Sequence, residues 1–286
     1  RPWKTVAAFR ETCGGQDPTR IGSFFLDRRF ESRLLLAKRA DKPRFQNFAT
    51  NERYREMTEI LKGIPPRVEL AELKRRLHIR DSDRLQELQD LVNRALPMLE
   101  CRAAYTVSYV DKRQEDALVI DDVRFVSKVL RKNLDQAERV FPYVMTIGPG
   151  LEDQVGQCAD VLEQYYLDVI GTVALTGVRQ QLFDHLQSKY GLDKVSFMSP
   201  GSLPDWPLEQ QRPLFALLGK GPADLGVSLT DTFLMLPKKS VSGICFPTEI
   251  SFFSCQLCSR ERCESRKAAY CEKLTREYGI LNDDGH

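Results

Sequence analysis

Four cysteines crowd one stretch of the chain as Cys255-x2-Cys258-x4-Cys263-x7-Cys271. Thiolates bind soft metals, and the first two fall within one turn of chain, where they can grip one ion or one cluster edge. The third follows after a short loop, and the fourth can close a tetrahedral set. Structural zinc sites pair two knuckles roughly 12–20 residues apart, which this compact spacing fits poorly. Three close cysteines with a more remote fourth suit an iron–sulfur cluster better, and a 4Fe-4S cubane is the expected form. Zinc and free thiols remain the alternatives. Cys245 is a second candidate for the fourth ligand. Arg260, Arg262, Arg266 and Lys267 interleave with the cysteines and would offset the negative charge of a thiolate-bound cluster. Cys13, Cys101 and Cys158 read as ordinary small residues.

Other chemistry is thinner. Gly148-Pro149-Gly150-Leu151-Glu152 reads as a strand-to-helix turn that lacks the lysine of a phosphate loop and the full dinucleotide fingerprint. Ser199-Pro200-Gly201-Ser202, followed by Pro204-Asp205-Trp206, reads as a fixed extended loop, with Asp205 and Glu209 beside a helix start. The three histidines are scattered, and no Ser-His-Asp or HExxH pattern points to a hydrolase.

The elements that must hold these residues alternate between helical and strand periods. The spacing predicts short helices over 57–63 and 69–78 split by Pro65-Pro66, and a longer one from Ser82-Asp83 to Leu96. Strand-like runs follow at Ala104–Val110, Leu118–Ile120 and Val140–Ile147, with Pro142 expected at the first turn of its strand or on an edge. Asp121-Asp122 stands before a helically periodic stretch through Val126, Val129 and Leu130. A single long helix is expected from Leu151 to Tyr190, with Gly171 and Gly177 marking close packing. Another helix is expected over Trp206–Leu218, then strand-like runs at 227–229, 234–236 and Val241–Phe246.

The chain has 286 residues, 42% hydrophobic and 29% charged, which excludes wholesale disorder. The net charge of +2 hides a basic first segment: residues 1–56 carry 13 Lys/Arg against 7 Asp/Glu. These residues read as a poorly ordered leader, with no nucleic-acid-binding motif beside the charge. No apolar run reaches the roughly 18 residues of a membrane span. A cytoplasmic protein with no nucleic-acid or membrane partner is expected.

From Val140 to Phe246 the order of motifs resembles the reactivation (activation) domain of cobalamin-dependent methionine synthase. The matching pieces are Val144-Met145-Thr146-Ile147-Gly148-Pro149-Gly150-Leu151-Glu152, Ser199-Pro200-Gly201, Leu229-Thr230, and Met235-x-Pro237-x-x-Ser240-Val241-Ser242-Gly243. The resemblance implies an α+β fold over residues 57–250, a twisted antiparallel sheet flanked by helices, with 251–286 as a cysteine-rich tail. It also implies a pocket at Pro200, Gly201, Ser202 and Cys245 for S-adenosylmethionine, and docking on a corrinoid-binding protein or methyltransferase. Three departures fall in that pocket. Phe197 stands where the family has an Arg for the ligand carboxylate, Ser202 where it has a Tyr, and Cys245 where it has a second Tyr. S-adenosylmethionine is therefore expected to bind weakly or not at all.

The expected function is that of a stand-alone activator of a corrinoid (vitamin B12) methyltransferase system. It would help return Co(II) to Co(I), with the cluster as electron carrier, and Trp206 reads either as an interface anchor or as an inward-packed residue at a helix start. The alternatives are an S-adenosylmethionine-using methyltransferase accessory domain and a non-catalytic binding protein with structural zinc.

Overall fold

The computed structural model describes residues 58–80 and 82–280, and the expected leader over 1–56 lies outside them. An antiparallel sheet organises the chain. Its central strand is β6 (Arg139–Thr146), which pairs with β2 (Arg102–Tyr105) and β3 (Ser108–Arg113) on one side and β10 (Ser240–Pro247) on the other. β1 (Glu59–Leu61) extends the sheet beyond β2, and β7 (Val195–Met198) extends it beyond β10. β4 (Ala117–Ile120) and β5 (Val123–Val126) continue it from β3. Every pair is antiparallel, and the sheet curls as such sheets do.

The helices lie on the two sheet faces. Phe141, Tyr143 and Met145 of β6 share one core with α1 (Leu70–Leu77), α2 (Ser82–Ala95) and α5 (Val161–Tyr190). Side chains alternate along a strand, so Val140 and Val144, also buried, face the other way. α6 (Gln211–Leu218) packs there against β6 and β10. The smaller helices are α3 (Lys128–Asn133), α4 (Gly150–Gln157), α7 (Gly221–Asp224) and α8 (Glu272–Glu277). A two-strand ribbon, β8 (Ser228–Leu229) with β9 (Met235–Leu236), stands apart.

Several sequence expectations are corrected. Residues 59–61 form an edge strand rather than a helix, because pairing with Ala103–Tyr105 outweighs the weak helical preference of so short a run. The run 104–110 is two strands broken at Thr106-Val107. Pro142 sits inside the central strand opposite this break. Its carbonyl accepts from Thr106 N–H at 3.0 Å, so its missing N–H faces the same gap and interrupts no ladder. Asp121 and Asp122, at φ 44° and 65°, form a hairpin turn between β4 and β5, not a helix start. The helix after them is α3, capped by Ser127, whose hydroxyl accepts from Leu130 N–H.

The long helix is in fact two. α4 ends at Gln157, and Asp160 starts α5 by accepting from Leu162 N–H at 2.8 Å. α5 then runs 30 residues to Gly191, which closes it in the left-handed conformation. Gly177 on α5 faces Arg67, whose carbonyl oxygen would lie 2.6 Å from any added Cβ, as the close-packing expectation requires. Trp206 precedes the next helix, which begins at Gln211. Pro213 is tolerated there because the first turn of a helix leaves N–H groups unpaired.

Candidate functional site

The sheet edge made by β10 and β7 carries most of the residues singled out by the sequence. Val241 pairs with Met145 on β6, and Cys245 pairs with both Phe141 and Phe197. Gly243 lies between them at the tightest point of the sheet. A Cβ there would meet Met198 O at 2.3 Å, Tyr143 Oη at 2.8 Å and Ser199 Oγ at 2.9 Å. Only glycine fits, which gives the Ser240-Val241-Ser242-Gly243 block a physical reason. Tyr143 is fully buried, and desolvation pushes its phenol up to about 12.

The loop after β7 turns at Pro200-Gly201. Gly201 adopts φ 79° and donates its N–H to Trp206 O at 2.7 Å, and the Ser202 hydroxyl donates to Ser199 O at 2.6 Å. Trp206 is fully buried, edge-on to Phe125 at 6.4 Å. Of the two readings of Trp206, inward packing is the one the structure supports, and the interface anchor is not. The ring packs against Phe125 of β5, which takes its large apolar surface out of water. Asp205 is a helix cap: its carboxylate accepts from the Ser127 hydroxyl, from Lys128 N–H at 3.1 Å and from Val129 N–H at 2.9 Å.

Two cavities open beside this loop. One, of about 470 Å³, is lined by Ser199, Pro200, Gln211, the ribbon residues Leu234–Leu236, and Ser240 and Ser242. The other, of about 360 Å³, is walled by α5, β7, β10 and the cysteine segment. Thr172, Leu175, Thr176 and Arg179 reach it from α5, joined by Phe197, Ser199, Ser202, Val241, Cys255 and Lys267. Of the expected pocket residues, Pro200 lines the first cavity and Ser202 the second. Gly201 shapes the turn without lining either. Cys245 lines neither; it belongs to the hydrophobic core, where burial pushes its thiol strongly up.

Sequence reasoning missed Arg179 and Arg76 in the second cavity. The signal for Arg179 was present: Thr172, Leu175, Thr176 and Arg179 follow i, i+3, i+4, i+7 spacing, so one face of α5 carries them all. Arg179 Cζ stands 4.7 Å from the Phe197 ring centroid, and Lys267 Nζ stands 5.7 Å from it. Desolvation, then the charge of Arg179, lowers the Lys267 ammonium to about 8, although part of the residue reaches solvent.

The cysteine segment is fastened to the domain. Phe252 N–H donates to Ser196 Oγ at 2.8 Å, and Phe252 stacks on Tyr278 at 5.8 Å. Arg75 and Arg76 of α1 reach Glu264 O and Ser265 Oγ, both at 3.4 Å. Within the segment, the Arg266 guanidinium donates to Cys255 O at 3.1 Å, to Cys258 O and Ala268 O at 3.3 Å, and to Arg260 O. Lys267 N–H points at Cys255 Sγ, 3.4 Å away. Cys255, Cys258 and Cys263 are free thiols, the first two half-buried and the third exposed. Cys271 is buried at the start of α8, and its N–H donates to Gln256 O at 2.8 Å. Among the described residues, no three His, Cys, Asp or Glu side chains are gathered closely enough to hold an ion. By residue type the loop offers three thiols, Cys255, Cys258 and Cys263, which the structure does not draw together, and a backbone N–H aimed at one sulfur.

A separate polar cluster ties β1 to α5. Tyr105 Oη donates to Glu59 Oε2 at 2.9 Å and lies 3.1 Å from His185 Nε2, with Lys189 paired to Glu59. Burial alone would raise the Glu59 carboxyl, but hydrogen bonds from Lys189 and Tyr105 hold it below its usual range. No spacing pattern around His185 points to these neighbours, which come from β1 and β2.

Comparison with known proteins follows the same geometry. The family model for the vitamin B12 dependent methionine synthase, activation domain, matches residues 199–269. That span begins at the Ser199-Pro200-Gly201 loop, includes β10, passes through Cys255, Cys258 and Cys263, and stops short of Cys271. The fold is similar to that in the crystal structure of the MetH reactivation domain bound to AdoHcy. The TM-score is 0.50 at 14% identity, over 70% of this chain and 81% of that chain. No curated protein matches. The chain thus has the α+β fold of that reactivation domain and resembles the activation domain in the sequence of its loop and β10. Among the described residues, no helix is long and apolar enough to cross a membrane.

Proposed function

We propose that this chain reactivates a corrinoid protein, assisting the return of Co(II) to Co(I) in a cobalamin-dependent methyl-transfer system. The observation that carries this is the activation-domain match over residues 199–269, lying on a fold shared with a reactivation domain. The partner is a corrinoid-binding protein or methyltransferase, and the corrinoid is reached only through it. In this reading the protein contributes placement and shielding.

Most of the cysteine segment lies within the family match, which takes in Cys255, Cys258 and Cys263. Cys255, Cys258 and Cys263 would hold an iron–sulfur cluster, supported by the donor set and by the brace of Arg266. Such a cluster supplies single electrons at a potential tuned by hydrogen bonds and nearby charge. The chain's own residues then have defined tasks. Arg266 holds the ligand loop by its carbonyls, Lys267 N–H donates to one sulfur, and α1 and α8 hold the segment on the domain. Cys245 has no part in this, being a core residue.

The test has two parts. Anaerobically reconstituted protein should contain iron and acid-labile sulfide, and Cys258→Ser should lose most of the iron. Full iron in a triple Ser variant at Cys255, Cys258 and Cys263 would refute the ligand set. With a low-potential reductant, the loaded protein should speed the decay of the cob(II) absorbance of a corrinoid protein. No acceleration with any corrinoid protein of its source would remove the reactivation role.

A further inference from the structure

The 360 Å³ cavity is charged in one sense. Arg76, Arg179 and Lys267 line it, and no carboxylate does. Arg76 is already matched by Glu72, whose Oε1 lies 2.6 Å from its Nε. Arg179 and Lys267 are not: neither side chain has a hydrogen bond or ion pair among the described residues. Both are instead drawn to the ring of Phe197, at 4.7 and 5.7 Å. Cation–π attraction can hold two cations at one ring, but it neutralises neither. Two positive charges on the wall of a concave site, without a partner among the described residues, focus a field that favours an anion.

The rest of the wall is apolar and hydroxylic. Met145, Leu175, Val241 and Phe253 supply the apolar part, with Thr172 and Thr176 beside them. A volume of about 360 Å³ is in the range of small-molecule sites and exceeds what a bare ion needs. The cavity is also assembled from three separate parts of the chain, α1, α5 with the sheet, and the cysteine segment, so it exists only when the segment is docked.

We propose that this cavity binds a small molecule with an apolar body and a net negative charge, carried by a carboxylate or phosphate group that Arg179 and Lys267 receive beside Phe197. This ligand class differs from S-adenosylmethionine, which sets a sulfonium and an ammonium against one carboxylate and is a net cation. The same two charges that attract the anion oppose that cation. The proposal does not depend on the reactivation reading, because it concerns the charge of the ligand and not the redox state of a partner.

Calorimetry on the full chain tests it with three matched probes: 4-phenylbutyrate, 4-phenylbutyl phosphate and the uncharged 4-phenyl-1-butanol. At least one anion should bind ten times more tightly than the alcohol, and the tighter anion identifies the preferred oxyanion. Arg179→Gln and Lys267→Gln should each weaken that anion at least fivefold and leave the alcohol unchanged, while Arg179→Lys should retain most of the affinity. Should Arg179→Gln fail to fold, Lys267→Gln on the peripheral segment carries the comparison alone. Equal binding of the alcohol and both anions overturns the proposal. So does unchanged anion affinity in the Gln variants, or no binding of either anion at millimolar concentration.

Discussion

Arg266 is the side chain on which the order of the cysteine loop depends, and replacing it with Met gives a worked expectation. Its guanidinium donates to four carbonyls, those of Cys255, Cys258, Arg260 and Ala268. A hydrogen bond from a charged donor contributes about 1.5–3 kcal/mol net, less where solvent competes. Two of the four are at 3.3 Å and one group is exposed, so the equivalent of one to two full bonds is a fair count. Arg266→Met keeps much of the stem packing and removes the donors, so local opening of the loop should become easier by about 2–4 kcal/mol. At about 1.4 kcal/mol per decade, exchange of amides that the loop protects should speed up roughly 30- to 1,000-fold. The reporters are Cys258 N–H, bonded to Cys255 O, and Cys271 N–H, bonded to Gln256 O. Hydrogen-exchange mass spectrometry over 254–272 reads them, with β6 as the internal control. Iron retention after gel filtration should fall in the same variant. Exchange within threefold of the parent, together with full iron retention, would refute the claim that Arg266 organises the ligand loop.

Four further expectations follow from the same structure. Asp205→Ala removes the acceptor for two amides and a hydroxyl at the start of α3, so urea unfolding should show a loss of about 1–3 kcal/mol; a loss under 0.5 kcal/mol would contradict the capping role. Gly177→Ala ought to gain about 1 kcal/mol of helix propensity, yet its Cβ would sit 2.6 Å from Arg67 O, so the clash should win and the melting temperature should fall; a rise would mean that the 64–68 segment yields freely. Glu72 titrates near 2 in the folded protein, chiefly through its hydrogen bond from Arg75, against an ordinary value of 4.5; its stabilising contribution is complete above pH 4.5 and is lost as pH falls toward 2, so Glu72→Gln should flatten the acid limb of stability in that window. S-adenosylmethionine should bind the unaltered protein more weakly than micromolar in calorimetry, because Arg179 and Lys267 beside Phe197 oppose its net positive charge; micromolar binding would refute that reasoning.

The parts of the fold that were legible in the sequence are those where local pattern and tertiary demand coincide. β6 carries a long apolar run because it is buried on both faces, and α5 repeats its apolar residues over many turns. The errors lie where a short signal is ambiguous. Asp121-Asp122 suits a helix cap and a left-handed hairpin turn equally well, and only the pairing of β4 with β5 decides. Pro142 reads as a strand start or an edge residue because the rule against proline in a central strand assumes an unbroken neighbour. Here the neighbour is two strands with a gap between them, a fact about residues 106–107 that Pro142 itself cannot reveal.

The site was legible by chemistry and not by geometry, and Phe197 shows why. A missing arginine at one position reads, in sequence, as the loss of a positive charge from the pocket. Three-dimensional packing returns that charge from elsewhere: Arg179 arrives from α5, 18 positions earlier in the chain, and Lys267 from the cysteine segment, 70 positions later. An aromatic ring at 197 is what lets the two cations share the space, since a cation there would repel both. Spacing rules detect groups that are neighbours within one element, and this trio belongs to three. The cysteine segment therefore has two roles in the structure. It carries the candidate ligands Cys255, Cys258 and Cys263, and through Lys267 it completes the wall of a cavity whose other side includes Phe197 of β7 and Ser199 just after it. Any ligand that enters that cavity touches the segment beside Cys255, so occupancy of the cavity and the state of the cysteine loop must be energetically linked, and by reciprocity a change at either should be felt at the other.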